Sequence, residues 1–276
     1  MLAAAKAVLY LGTVLLAGAG LSRFYLFEGL PQTPTRFRLL SLTGVLCVIG
    51  TSLYLLIQTP TSLLGFWDTA FIWDYTLSSR EGRWVVARTV ATLCLFGLLF
   101  LNRSRLVRAG FILCLATIAA SFALLSHAQA NGFIAVLADS LHGFFAALWM
   151  GGVLMVTLSP LWHVKDSTAL TRAVKRLSKV AQLSVLVLLL SGSFAVFKQL
   201  DTLLGLLGSR YGAFLGTKLM LFVYVMSAAA YSHFHYLPRL RASGQYAGFR
   251  QALWIELIFL VILIGVTGAL TVTEPP

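Results

Sequence analysis

The sequence predicts an all-α membrane protein of eight transmembrane helices, built as a parallel 4+4 internal repeat with both termini periplasmic. Three observations lead there. Of 276 residues, 59% are hydrophobic and only 11% charged. Apolar runs of about 18–22 residues, enough to cross ~30 Å of hydrocarbon, recur along the whole chain. Lys and Arg then alternate in density from one connection to the next, and motifs of the first half return in order in the second. A soluble domain is excluded.

The spans read as 3–21, 39–57, 84–101, 107–126, 132–157, 179–197, 212–234 and 251–272. In the first, Lys6 precedes an apolar run ending in Ala17-Gly18-Ala19-Gly20, as in a secretory signal. Its counterpart later in the chain argues for a retained span. The first, third, fifth and seventh connections carry fourteen Lys and Arg, and the opposite side carries five. The positive-inside rule therefore places both termini outside the cytoplasm. The net charge of +12 is accounted for by this asymmetry and is not a nucleic-acid footprint.

The repeat divides the chain into residues 1–126 and 127–276. Gly82, Trp84 and Arg88 match Gly212, Phe214 and Lys218 in spacing. Leu9-Tyr10 through Gly20 aligns with Leu141-His142 through Gly152, and Ser62-Leu63-Leu64-Gly65 resembles Thr202-Leu203-Leu204-Gly205. Four spans per unit insert both halves the same way up, with a pseudo-two-fold near the membrane normal. The halves differ at one telling position, where Tyr10 stands opposite His142. The first half also inserts Phe66 to Tyr75, whose alternating aromatics and acids suit the membrane interface. It reads as an aromatic belt, or as a lid whose Asp68 or Asp74 attracts cations.

Asp139-Ser140-Leu141-His142-Gly143 through Trp149-Met150-Gly151-Gly152 writes a polar motif into the fifth span. At ~100° per residue, Asp139, His142, Ala146, Trp149 and Val153 share one face. Gly143, Ala147 and Gly151 repeat every four residues on another, a small-residue pattern that lets membrane helices approach closely. Ionisable groups inside a span are candidate functional residues. The alternative is an Asp139–His142 hydrogen bond that only fixes packing.

His127 closes the fourth span, and His142 lies ~15 Å along the fifth at about 1.5 Å per residue. His127, Asp139 and His142 are the candidate metal ligands, with Asp139 binding directly or orienting the imidazole. Imidazole suits copper and zinc, and thioether favours Cu(I); Met150 and Met155 lie deeper on the same helix. Arg88 and Lys218 enter equivalent helices from the outside, as snorkelling cations or as partners of Asp139 or Glu274. Glu256 in the last span is a stepping stone for a proton or cation, or a helix–helix hydrogen-bond partner. His233 and His235 point ~200° apart on a helix and read as interfacial, with an exit site as the alternative. Cys47, Cys94 and Cys114 lie in apolar runs without a C-x-x-C pair; they read as buried apolar residues, or as a Cu(I) thiolate site if they converge. No nucleotide loop or nucleophile elbow occurs, so the residues do not point to an enzyme.

Ser126-His127-Ala128, then Asp139-x-x-His142 leading to Trp149-x-Gly151-Gly152, resembles the signature of the copper resistance D family. Gly82, Trp84, Arg88, Tyr211-Gly212, Lys218, Pro238-x-Leu240, Glu256 and the ending Glu274-Pro275-Pro276 extend the likeness over the whole chain. The resemblance implies a multi-pass protein of the bacterial inner membrane. Its cargo would be copper, as Cu(I) or Cu(II), moved inward from the periplasm and contributing to copper resistance. A periplasmic CopC-type copper-binding protein is the implied partner, beside the lipid bilayer. The chain departs from the family at Tyr10, where relatives often have His, and at Ser232-His233, where they often have Asn-Arg. Two other classes are a b-type haem or quinone redox protein and a copper-binding scaffold that does not transport.

Overall fold

The computed structural model describes residues 1–28, 35–126, 129, 131–163, 168–198, 208–236, 238 and 247–273. His127 and Glu274, expected near the outer mouth, fall outside the described residues. The described residues form helices and their connections, with no strand.

Nine α-helices follow in order: α1 (Leu2–Leu21), α2 (Thr35–Leu64), α3 (Thr69–Ser78), α4 (Arg80–Leu98), α5 (Arg105–Leu124), α6 (Phe133–Thr157), α7 (Thr168–Lys198), α8 (Arg210–Tyr231) and α9 (Ala247–Leu270). A π-turn extends α1 over Ser22–Leu26 and another extends α8 over Ser232–Tyr236. Among the described residues, seven helices are long and apolar enough to cross a membrane. Eight were expected, and α4 is the one not among them. It covers the expected third span in 19 residues, but Arg80, Glu81, Arg83 and Arg88 crowd its first half.

Serine and aspartate start the helices because their side-chain oxygens satisfy otherwise orphaned N–H groups. Asp68 accepts from the backbone N–H groups of Ala70 and Phe71 at the start of α3. Ser79 accepts from Gly82 N at 2.9 Å and Ser209 from Gly212 N at 3.0 Å. The same Ser-x-x-Gly device thus opens α4 and α8. The inserted aromatic segment becomes helix α3, tied to α4 by Tyr75 Oη donating to Glu81 Oε2 at 2.6 Å.

Helix α1 is the hub, packed on α2, α6 and α9. Leu16 and Ala17 at its centre have no exposed surface. Two crossings are backbone to backbone. A Cβ on Gly18 would lie 2.6 Å from the carbonyl oxygen of Gly151, and one on Gly151 would lie 2.5 Å from Val14 O. A Cβ on Gly12 would meet Gly44 O at 2.9 Å. Membrane helices gain no hydrophobic drive from each other, so this close van der Waals fit holds them together. Around the hub, α2 packs on α4, α4 on α5, α5 on α6, α6 on α7, and α8 on α9.

One end of the bundle is basic. There Glu28 binds Arg108 at 2.7 Å and Arg176 at 3.2 Å, and Arg176 donates to Tyr25 O. The Arg108 hydrogen bond and charge hold the Glu28 carboxyl below its ordinary value.

A candidate cation site in the second half

The site begins on α6, whose apolar run forms a helix despite two ionisable side chains. Seven residues turn the helix through almost two whole turns, so His142 and Trp149 face the same way. Trp149 and Val153 line a cavity of about 190 Å³ between α6, α7, α8 and α9. The His142 face of α6 is therefore the face turned toward that cavity.

His142 Nδ1 lies 2.9 Å from Ser191 Oγ on α7. Ser191 Oγ also donates to Val187 O at 2.7 Å. A hydroxyl has one proton; with it directed to Val187, Ser191 accepts from Nδ1–H. The tautomer assigned from this network leaves the Nε2 lone pair free of the proton. Gly192 adjoins the ring, with a virtual Cβ 4.0 Å from His142 Cε1.

Asp139 lies one turn nearer the N-terminal end of α6 and accepts at Oδ2 from Ser126 Oγ, 3.0 Å away. The orienting partner of the imidazole is thus Ser191, with Ser126 holding the carboxylate. Lys218 of α8 acts electrostatically on both Asp139 and His142. Asp139 is exposed at the protein surface, while His142 and Lys218 are half-buried. Among the described residues, no group of three or more His, Cys, Asp or Glu side chains converges as a metal-binding cluster.

The place that the expected repeat would pair with this one, around Arg88 and Tyr10, is filled. Arg88 is 2% exposed, donates from Nε to Ser52 Oγ at 3.0 Å and lies over the Phe122 ring at 5.5 Å. Tyr10 packs edge-on against the same ring at 5.3 Å. There α2 and α4 pack directly, whereas α7 and α8 share hardly any close contact among the described residues. The second half is therefore split between α7 and α8. Near the basic end, Ser178 Oγ and Gln182 Nε2 of α7 reach His233 at 2.8 and 3.4 Å and bridge the split.

The remaining expected residues are scattered, and of them Glu256 borders the cavity. Glu256 is 3% exposed, accepts from Ser232 Oγ at 3.0 Å and lines the cavity with Met226. Met150 is buried in the core. Gly151 abuts α1, Gly152 faces Leu177 of α7, Gly143 nears Ala119 of α5, and Ala147 is buried. His235 stacks on Tyr231 with ring centroids 4.8 Å apart, away from the partners of His233. Cys94 and Cys114 lie on neighbouring helices α4 and α5, and Cys47 on α2.

Ser191, Ser178 and Gln182 were not singled out from sequence. Ser191-Gly192-Ser193 does interrupt the apolar run of the sixth span, and that break was the available signal.

Residues 171–270 match the family model of CopD, copper resistance protein D. The chain is also 28% identical over 263 residues to the copper transport protein CutJ of Bacillus subtilis (strain 168). The chain is thus similar to the CopD family over residues 171–270. The alignment with CutJ takes in 88% of this chain and 48% of that protein, so the chain spans about half the length of the curated relative it matches. No solved structure matches it. The CopD match covers α8 and α9 and nearly all of α7, three of the four helices around the cavity. The chain is a multi-pass membrane protein, all-helical where described.

Proposed function

We propose that the chain is a copper permease of the bacterial inner membrane, moving copper inward from the periplasm through its second half. The reading takes the helices as eight spans in a parallel 4+4 repeat. Its support is paired packing: α1 with α2 and α6 with α7, α4 with α5 and α8 with α9, α5 with α6 and α9 with α1. The matching Ser79 and Ser209 caps add to it. The basic end is cytoplasmic by the positive-inside rule, which leaves both termini periplasmic.

Copper is accepted at His127 from a periplasmic CopC-type protein, the partner the family resemblance implies, and passed to His142. Asp139 supplies a neighbouring carboxylate that offsets the cation's charge. Below His142, the ion descends between α7 and α8 past Trp149 toward Glu256, while Gly143, Ala147, Gly151 and Gly152 let α6 pack close to its neighbours. Nothing in this path calls for bond-making chemistry, and the chain acts as a carrier, not an enzyme. The carrying observation is the Ser191–His142 pair, which presents Nε2 on the cavity-facing side of α6. Borderline imidazole nitrogen suits either copper oxidation state.

The test is copper accumulation by cells expressing His142→Ala, with membrane insertion checked by immunoblot of the washed membrane fraction. Loss of copper-dependent accumulation at equal insertion is expected. Wild-type accumulation in that variant rejects the assignment.

A further inference from the structure

Lys218 of α8 is the ionisable residue beside His142 that the copper path leaves unused. Val153 follows His142 by eleven residues on α6, and Ala229 follows Lys218 by eleven on α8. Eleven residues carry a helix only ~20° past three whole turns. Val153 and Ala229 both line the cavity. His142 and Lys218 therefore stand above it on the faces that α6 and α8 turn toward it. Their depths agree as well. Asp139 and His142 lie six and nine residues past Phe133, and Lys218 eight past Arg210, where α6 and α8 begin. At about 1.5 Å per residue those depths are about 9, 13.5 and 12 Å. Across this gap Lys218 acts electrostatically on both Asp139 and His142.

Imidazole nitrogen accepts copper in either oxidation state, so the charge beside it makes the difference. The Lys218 ammonium cancels the Asp139 carboxylate, and the pair brings no net charge to His142. Taking an ion from water into a low-dielectric site costs in proportion to the square of its charge, about fourfold more for a divalent ion than for a monovalent one. Repulsion from one ammonium is twofold larger for the divalent ion. The donor set points the same way. Among the described residues, no third His, Cys, Asp or Glu joins His142 and Asp139 in a cluster, whereas Zn(II) characteristically fills four positions.

We propose that Lys218 is a specificity-determining residue, whose fixed positive charge makes the His142 site admit Cu(I) and turn away divalent cations, Cu(II) and Zn(II) among them. This selection rests on His142 being the copper site and names the ion which that site takes.

Titration of the purified protein tests it, with Cu(I) under reducing anaerobic conditions and separately with Zn(II), each against a competing chromogenic chelator. Wild type should bind Cu(I) more tightly than Zn(II). Lys218→Gln and Lys218→Leu remove the charge and should tighten Zn(II) more than Cu(I). The ratio of the two affinities should fall about tenfold, as expected for one unit charge at about 10 Å in an effective dielectric near ~20. Lys218→Arg should hold the ratio, since a guanidinium repels cations equally and stays protonated. Retained Cu(I) binding shows in each variant that the site is folded. An unchanged ratio in both neutral variants overturns the role of Lys218, and so does loss of Cu(I) binding in all three variants, which would make Lys218 a ligand. Absence of Cu(I) binding by wild type overturns the His142 site itself, and the selection with it.

Discussion

Ser191 decides what His142 can offer. By giving its own proton to Val187 O, it takes the imidazole in the tautomer with a proton on Nδ1. Removing the partner that orients a ligating histidine commonly costs about 10–100-fold in metal affinity. Ser191→Ala should therefore weaken Cu(I) binding by that order in competition with a chromogenic chelator, and Ser191→Thr should restore most of it. An unchanged affinity in Ser191→Ala would show that the hydroxyl serves only α7. His142 and Asp139 were legible in the sequence because a charge or imidazole inside an apolar run stands out. Ser191 was not, since a serine in such a run ordinarily back-bonds to its own helix. Its second role depends on a partner 49 residues away. Ser52, which holds Arg88, was hidden for the same reason.

Among the elements, α1 and α6 carry the crossing on which the rest is hung. A methyl group at Gly18 has no room, because its neighbour is the backbone of Gly151 and not a side chain that can swing away. Gly18→Ala should therefore destabilise the protein by about 1–3 kcal/mol, the usual cost of overpacking. Thermal unfolding in detergent reads this, and a melting temperature equal to wild type would contradict the contact. Ser79→Ala and Ser209→Ala should each cost about 1 kcal/mol through loss of a helix cap. Helix existence was legible from apolar length, whereas helix ends were not. The expected 39–57 and 179–197 spans lie within helices of 30 and 31 residues. Arg36, Arg38, Arg172, Lys175 and Arg176 continue those helices past the apolar run, since long basic side chains can reach outward from a helix end. The insertion after α2 was read as an aromatic belt or a lid, and its helix, set by the Asp68 cap and the Tyr75–Glu81 bond, was not legible.

For the molecule as a whole, a clamp at the basic end joins the two halves through Glu28, Arg108 of α5 and Arg176 of α7. Because folding lowers the Glu28 pKa, the clamp contributes stability above the ordinary carboxylate value and loses it as pH falls through the depressed one. All three side chains are partly exposed, so the effect is small. The melting temperature of Glu28→Gln should sit slightly below wild type near pH 7 and converge with it as the pH falls; a gap that widens on acidification would contradict the sign. The two-half plan was read from repeated motifs and stays a proposal, and a difference between the proposed halves was only partly legible. Tyr10 opposite His142 marked it, but the separation of α7 from α8 arises from packing that no local pattern records. The proposed copper site lies in the split half, at His142. Copper retained by purified protein after Cu(I) loading and desalting tests it most directly, in wild type, His142→Ala and Tyr10→Phe. Wild type and Tyr10→Phe should hold copper alike while His142→Ala holds little; retention by His142→Ala equal to wild type would contradict the claim.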